Sequence, residues 1–543
     1  MSTTGYCGPY LEPVWEFLFE NAANSLSTER GFHDAGTGEF LSLSALRDAA
    51  IAASAALTQV CDLGPEDTMA IVSQNCIEYA LIMMAASRVG AIVTTLPVGA
   101  SSSELAYFFS TSRTKVVVAS EEEFANVKTA CGNVGILESR LLVFGDSSSR
   151  STCFSKLVTV GGQREPSPYW KPMKRNNSCC AFLSFTSGTT GKPKAVMISH
   201  ANIIGQLRQV CQMVPVQRNK AVLGILPFYH ITGLIHLLHL PVLLGQDLIL
   251  LRQFKMSTML EAISRYKCDE LWLVPPLLIR LLRDREAHNF DFSFVKQFNT
   301  GAAPLNAEIV DQLAQKFPKV ALRQAWGMTE TTSCVTITPP DLMSWDNAAK
   351  VGNLVPGTEL RIVDPATGSD VARGDQGELW VKGPQVTMGY LDRDMETAET
   401  YMPDGFLRTG DIGRIDSEGF VTIHDRLKEM IKVRGHAVAP AELEDALLGH
   451  RAVADAAVVG IPDEYSGEIP KAFVVAKAAS LESPETVHQL KELVRTTKAR
   501  HKWLAGGVTF VKELPKSPSG KILRRKLKAQ WIQGQGHNMK ARL

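Results

Sequence analysis

A chain of 543 residues, 45% of them hydrophobic and 21% charged, has enough material for several packed units, which excludes a peptide or a disulfide-stapled miniprotein. The 57 lysines and arginines nearly cancel the 56 aspartates and glutamates, so the net charge is +1 and no global field draws nucleic acid. The balance is that of an ordinary soluble globular protein, not of a disordered chain.

Taken in chain order, residues 1–10 lack the basic and apolar regions of a secretory signal. From about residue 43 to residue 420, short β-rich runs alternate with amphipathic stretches of helical length, which predicts α/β layers. Residues 80–100 are the most apolar, but Arg88, Gly90 and Pro97 interrupt them, so the expectation is a buried helix passing into a strand and not a bilayer span. Residues 147–172, rich in Ser, Gly and Pro, read as a loop region. Residues 180–183, 221–226 and 271–274 read as buried strands, and residues 305–317 place Leu305, Ile309, Val310, Leu313 and Phe317 on one helical face. The texture changes near Gly419: the second half of a hairpin at 419–424, a helix at 440–448, strands at 456–460 and 472–476, and a polar helix at 484–501 suffice for a small α+β domain. The predicted division is 1–424, a junction at 425–428, and 429–543. Ten scattered cysteines with no C-x-x-C pair predict neither a zinc cluster nor a disulfide framework, and fit a reducing intracellular compartment.

The densest chemical signal is Ser184-Phe-Thr-Ser-Gly-Thr-Thr-Gly-Lys-Pro-Lys194, directly after a predicted strand. Gly188 and Gly191 let backbone N–H groups turn toward an anion, while Thr186, Ser187, Thr189 and Thr190 add hydroxyls and Lys192 and Lys194 add charge, which together make a phosphate cradle. It is not a Walker A loop, because only two residues separate the glycines and Lys192 precedes Pro193.

That run resembles the phosphate loop of the adenylate-forming superfamily, and the resemblance recurs in order along most of the chain. It is carried by Pro227-Phe-Tyr-His230, Thr300-Gly-Ala-Ala-Pro304, Trp326-Gly-Met-Thr-Glu330, Gly405-Phe-Leu-Arg-Thr-Gly-Asp411, Asp425-Arg-Leu-Lys-Glu429 and Pro518-Ser-Gly-Lys521. Lys432-Val-Arg-Gly435 followed by Val438-Ala-Pro-Ala-Glu442 brings it nearest to the 4-coumarate:CoA ligases and firefly luciferase. The resemblance implies a large N-terminal domain of layered α/β sheets with a β-barrel-like part, and a small mobile α+β C-terminal domain.

A carboxylate is a poor electrophile until it becomes a phosphoanhydride, so such a site must bring it in line with an α-phosphate while neutralising a triphosphate. Glu330 can hold Mg²⁺ and Thr329 can donate to the phosphate beside it. Asp411 offers two carboxylate oxygens to two ribose hydroxyls. The resemblance further places His230 beside the substrate carboxylate, Trp326 against the adenine, Ala303, Lys432 and Gly435 among the cofactor-binding residues, and Arg426 at the ribose. It makes Lys428 the pivot of the small domain, and Lys521 the bridge between the carboxylate and the α-phosphate, where it stabilises developing charge. Thr232, His236, Gly301, Ala302, Ser333 and Cys334 flank these motifs and are the candidate acid pocket.

This chain also departs from the pattern. Trp326 stands where close relatives carry tyrosine, Ala437 where they carry a glutamine associated with thioester formation, and the pocket residues argue against 4-coumarate as the acid. The implied activity is an ATP-dependent, AMP-forming acid:CoA ligase using ATP, Mg²⁺ and CoA. The alternatives are a free-standing adenylation enzyme that loads a carrier protein, a luciferase-like adenylating oxygenase, and a non-catalytic nucleotide or acyl binder. The ending Ala541-Arg542-Leu543 resembles a peroxisomal address, which would make an import receptor a partner and the peroxisome, otherwise the cytoplasm, the location.

Overall fold

The computed structural model describes residues 12–540 apart from 22–25, 146–152, 165, 167, 173–175, 187–191, 215–219, 289, 302–304, 306, 373, 435, 464 and 517–520. Val-, Ile- and Thr-rich runs, buried on both faces, make two largely parallel sheets. The first has six strands in the order Leu141–Val143, Thr114–Ala119, Thr68–Val72, Ile92–Leu96, Cys180–Thr186 and Lys194–Ser199; all neighbours are parallel except the last pair, an antiparallel hairpin. The second has nine, in the order Asn353–Leu354, Ser333–Ile337, Ala321–Met328, Gln297–Thr300, Glu270–Trp272, Ala221–Gly224, Asp247–Leu250, Gly31–Asp34 and Phe40–Ser42; the five inner pairs, from Ala321–Met328 to Gly31–Asp34, are parallel.

One apolar core serves both sheets. Tyr79, Leu207 and Leu238, from the helical segments Ile77–Val89, His200–Met213 and Gly233–His239, meet Val93 and Phe182 of the first sheet and Val222 and Leu248 of the second. The helix expected to pass into a strand is Ile77–Val89; Gly90 ends it in the left-handed conformation at φ 77° and the chain enters Ile92–Leu96.

Beyond these layers lies an antiparallel sheet of Glu359–Val363, Gly377–Lys382, Leu407–Ile415 and Val421–Arg426. This is the part expected to be barrel-like, and among the described residues its edges do not meet, so it is an open sheet. The C-terminal unit is built on the long hairpin Val453–Asp463 and Gly467–Ala476, extended by Ile431–Val433, His436–Val438 and Val508–Phe510. Helices Pro440–Leu448, Pro484–Thr497 and Arg524–Lys540 belong to it, and their buried Leu443, Leu490 and Leu527 join the two apolar clusters of this sheet. No helix among the described residues is long and apolar enough to cross a membrane.

The structure differs from the sequence reading at 147–172, where a helix, Phe154–Gly162, replaces the expected loop region. The cause is a close helix–helix approach: a Cβ on Gly161 would lie 2.0 Å from the carbonyl oxygen of Ala52, so the glycine that reads as a loop former is what lets this helix pack on Leu43–Gln59.

Gly90 and Gly38 separate backbone strain from packing. Both have φ near 78°, but a Cβ on Gly90 would strike the Trp170 ring at 2.5 Å whereas one on Gly38 meets nothing within 4 Å. Gly38→Ala should cost about 1 kcal/mol from the left-handed backbone, and Gly90→Ala roughly 1 to 3 kcal/mol more from the clash. Urea midpoints of the two variants against the unaltered protein measure the difference, and equal losses would contradict it.

Candidate functional site

Four of the motifs leave the carboxyl ends of strands, the position at which open α/β sheets bind ligands. Cys180–Thr186 runs into the phosphate loop, Ala221–Gly224 into 227–230, Gln297–Thr300 into Gly301, and Ala321–Met328 into the turn Thr329–Thr331. Of the loop itself, Ser187, Gly188, Thr189, Thr190 and Gly191 lie outside the described residues, as do Ala302, Ala303, Gly435 and Ala541-Arg542-Leu543. The stem of the loop is described: Thr186 and Lys194 are register partners on its two strands.

The hairpin and the Thr-Glu turn are joined by residues that the sequence reading missed. Lys194 Nζ lies 4.5 Å from the centre of the Tyr390 ring, and the Tyr390 hydroxyl donates to Glu330 Oε1 at 2.9 Å. The Thr387 N–H and hydroxyl both donate to the Glu330 carbonyl, at 3.0 and 3.1 Å. Burial, reinforced by the Glu330 charge, raises the Tyr390 phenol above its ordinary range, so it remains a donor. Lys192 similarly lies over Tyr107, at 5.1 Å, and the Tyr107 hydroxyl donates to the Pro193 carbonyl. The only sequence signal for Tyr390 is an aromatic residue after Gly389, too common to select.

Asp411 is buried, and its two oxygens are held by different partners. Trp326 Nε1 donates to Oδ2 at 2.8 Å, and Arg426 Nε meets Oδ1 at 3.0 Å. The indole that replaces the expected tyrosine therefore supplies a donor as well as a ring face. The Asp411 charge, opposed by burial, raises the Arg426 pKa. Lys521 lies within electrostatic reach of this group: burial and then Arg426 lower its pKa, while Glu429 and Asp411 act against them. Lys428 is exposed in the turn that follows, where Leu427 N–H donates to the Gly410 carbonyl and Glu429 N–H to that of Arg426. Lys432 is exposed and its N–H bonds Glu468; its register partner is Ala437, on the C-terminal hairpin and not in the Asp411 group.

The candidate acid pocket assembles in part. His230 is held by its own turn, which Asn75 pins from the first sheet: Asn75 Oδ1 accepts from Phe228 N–H and its amide donates to the Leu226 carbonyl. Its Nε2 is buried without a hydrogen-bond partner. Thr232 precedes the segment Gly233–His239, which carries His236 inward. His236 Nε2 lies 3.0 Å from Ser333 Oγ and 3.3 Å from Cys334 Sγ, and its ring stacks on Trp272 at 4.6 Å. Gly301 sits so close to the next strand that a Cβ would be 2.9 Å from the Ala325 carbonyl oxygen. His239 bonds the Leu234 carbonyl and lies in the core.

Burial pushes His230 and His239 down to about 4, and His200 and His236 to about 3, so all four are neutral in the fold. Their folded pKa values lie below the unfolded value near 6.5, so their stability contribution is complete above that pH and is lost as pH falls toward 4. Stability should drop between about pH 7 and pH 5 by up to roughly 1.4 kcal/mol per pH unit for each histidine. Urea midpoints across that range test this, with His239→Gln giving a shallower slope; a flat profile would contradict neutral histidines. A second expectation concerns catalysis: Tyr390→Phe removes one bond to the Glu330 carboxylate and should lower nucleotide-dependent turnover by about tenfold. A steady-state assay with saturating acid measures it, and an unchanged rate would remove Tyr390 from the site.

Residues 19–391 match the family described as AMP-binding enzyme, and residues 442–521 its C-terminal domain. The chain is 33% identical over 531 residues to 4-coumarate--CoA ligase 5 of Oryza sativa subsp. japonica, covering 96% of this chain and 95% of that protein. It is 33% identical over 504 residues to peroxisomal OPC-8:0-CoA ligase 1 of Arabidopsis thaliana, covering 91% and 89%. Among solved structures, ATP-bound MatB from Rhodopseudomonas palustris superposes with a TM-score of 0.83 at 26% identity, covering 96% of this chain and 98% of that one.

Proposed function

The chain belongs to the AMP-binding enzyme family, and from that membership we propose an ATP-dependent, AMP-forming acid:CoA ligase, in which a carboxylate attacks ATP to give an acyl-adenylate and pyrophosphate, and CoA then displaces AMP. The observation that carries the reading is the buried cluster of Trp326, Asp411 and Arg426 together with the tie from Lys194 through Tyr390 to Glu330, with Lys521 of the C-terminal unit within electrostatic reach of Asp411 and Arg426. CoA ligases at 33% identity along nearly the whole chain support CoA over the carrier-protein and oxygen alternatives.

In this reading the 187–191 loop and Lys194 cradle the phosphates, Asp411 and Arg426 take the ribose, and Trp326 takes the adenine. Neutral His230, with its unpartnered Nε2, orients the acid. A single protein carboxylate suits Mg²⁺, which keeps waters and takes its other ligands from substrate phosphates; Glu330 would hold it, and the metal would supply charge neutralisation. Among the described residues no group of three or more His, Cys, Asp or Glu forms a metal cage, which is consistent with a cation carried in by the nucleotide. The boundaries 1–424, 425–428 and 429–543, with Lys428 as the pivot, complete the proposal: adenylation needs Lys521 in the crevice, whereas thioester formation needs a path for CoA. A peroxisomal location is supported by the Arabidopsis relative's name, and subcellular fractionation tests it.

Two variants test the assignment. Lys521→Ala should slow acyl-adenylate formation by about 10² to 10³, while thioester formation from supplied acyl-adenylate falls much less. Lys428→Pro, which fixes φ in the junction, should preserve adenylation and slow the second step. Pyrophosphate release and thioester formation measured separately decide both. Equal losses in the two half-reactions for Lys521→Ala would sink its role, and unmodified rates for Lys428→Pro would move the pivot elsewhere.

A further inference from the structure

The helix Pro440–Leu448 of the C-terminal unit is not capped by its own N-cap residue. That residue is Ala439, which carries no side-chain acceptor, and Pro440 at the first helical position has no N–H. The next N–H, that of Ala441, donates to Asp425 Oδ2 at 2.9 Å, across the junction. Asp425 lies on the strand Val421–Arg426 of the open antiparallel sheet and is buried. Its Oδ1 accepts from the Arg426 N–H at 2.7 Å. Burial raises its pKa, and the Ala441 bond and then the Arg524 charge oppose that rise. The helix dipole favours a carboxylate at this end as well as the bond itself, so a charged contact removed from water joins the two units here.

Further contacts carry this placement to Lys521. Glu444, on the same helix, accepts from Arg524 at both carboxylate oxygens, from Nε at 3.1 Å and from Nη2 at 2.7 Å, and it also accepts from the Val458 N–H at 2.7 Å. Arg524 pairs with Glu429 as well, one residue past Lys428. Arg524 follows Lys521 by three residues, and within that interval the Leu523 N–H donates to the Pro515 carbonyl at 2.8 Å. The path from Asp425 to Lys521 therefore runs through one helix and one bidentate ion pair, both of which transmit position. On its other side Asp425 precedes Arg426, the partner of Asp411. Neighbouring strand residues face opposite ways, so one strand end touches the Asp411 group through Arg426 and the C-terminal unit through Asp425.

We propose that Asp425 is a positioning residue for the adenylation step: by capping the helix Pro440–Leu448 across the junction it latches the C-terminal unit in the arrangement that brings Lys521 to the crevice, and the Asp425–Ala441 bond opens when that unit turns. The proposal rests on the acid:CoA ligase reading above and adds the contact that holds its first arrangement. A turn about Lys428 leaves Asp425 with the large domain and carries Ala441 away, so this bond does not survive it. A cap that served the helix alone would sit at position 439, where serine, asparagine or aspartate would travel with the helix. A cap supplied from the other unit stabilises one arrangement and not the other, and only such a differential contact shifts the balance between two arrangements.

The test compares the full-length protein with Asp425→Ala, Asp425→Asn, and Asp425→Ala combined with Ala439→Ser. Pyrophosphate release is followed with ATP and cinnamic, octanoic or palmitic acid, and thioester formation with the supplied adenylate of whichever acid is turned over fastest. The rate of tryptic cleavage within residues 426–434 reports the arrangement of the units without reference to activity. In Asp425→Ala, release should slow by about tenfold, thioester formation should not fall, and cleavage should quicken by about the same factor. Asp425→Asn, which keeps an acceptor without the charge, should lie between. Adding Ala439→Ser should restore the urea midpoint but not release. If Asp425→Ala does not fold, as judged by near-ultraviolet circular dichroism, Asp425→Asn and the doubly substituted protein decide. Recovery of release together with stability in the double variant would make Asp425 a cap only and overturn the latch. Equal losses in both half-reactions, or release and cleavage unchanged in Asp425→Ala, would overturn it too, and all three results leave the ligase reading standing. No release from the unaltered protein with any of the acids would instead strike that reading, and the cleavage rates then decide the latch alone, a rate unchanged in Asp425→Ala overturning it.

Discussion

The arrangement depends on one buried carboxylate. Asp411 accepts from the Trp326 indole on one oxygen and pairs with the Arg426 guanidinium on the other, and each partner comes from a different strand. Trp326 lies on the strand that delivers Thr329 and Glu330, and Arg426 ends the strand that leads into the C-terminal unit. Both strand pairings slip register beside these residues, between Trp326 and Gly327 and between Ile412 and Gly413, and such bulges turn side chains off the regular pleat. A charged hydrogen bond out of water tolerates little displacement, and loss of either partner leaves a buried charge uncompensated. The carboxylate thus fixes how far the nine-stranded sheet, the open antiparallel sheet and the interdomain junction stand from one another.

A second tie, from Lys194 through Tyr390 to Glu330, sets the phosphate hairpin against the same turn. It reaches across the first sheet because residues 388–391 add to the edge of Lys194–Ser199: Met388 N–H donates to the Met197 carbonyl, Met197 N–H to that of Gly389, and Leu391 N–H to that of Ala195. Backbone pairing therefore aligns the tyrosine with the lysine, and the side chains need only complete the contact. Asn75 does the equivalent for His230, since an amide that both donates to and accepts from the 226–228 backbone leaves that turn one shape. The crevice is held from its rim by such supports.

This division explains what could be read from the sequence. The layers, the C-terminal unit and the helix at residues 305–317 were legible because their signals are periodic, and the buried apolar face of Ala307–Lys316 retains Ile309 and Leu313 as expected. Asp411, Glu330 and Lys521 could be singled out as candidates because an ordered series of motifs carries them. Tyr390, Thr387 and Asn75 were not legible: their contacts arise from pairings that span between 57 and 196 positions along the chain, and nothing local marks them. Trp326 was half legible, since its ring face can be read from residue type but the direction of its N–H follows from a bulge. The helix Phe154–Gly162 was hidden for the opposite reason. Its glycines carry a strong local signal, and tertiary packing against Ala52 reverses what that signal ordinarily means.

The same cluster gives a physical reason for two arrangements of the C-terminal unit under the proposed reaction. Burial lowers the Lys521 pKa, Arg426 and Arg524 add to the effect, and Glu429 and Asp411 oppose it. Glu429 and Glu444 hold Arg524. Burial and the neighbouring cations outweigh the opposing acids, so a charged Lys521 carries an electrostatic cost where it stands. A triphosphate in the crevice reverses that sign and draws the lysine in. Release of pyrophosphate then removes most of the negative charge, leaving a single phosphodiester-like group between Arg426 and Lys521, and the repulsion returns while a hydrated position outside remains open to the lysine. The chemistry of the first step thereby weakens the contact that promoted it, and departure of Lys521, which thioester formation requires, follows from charge balance without a separate signal.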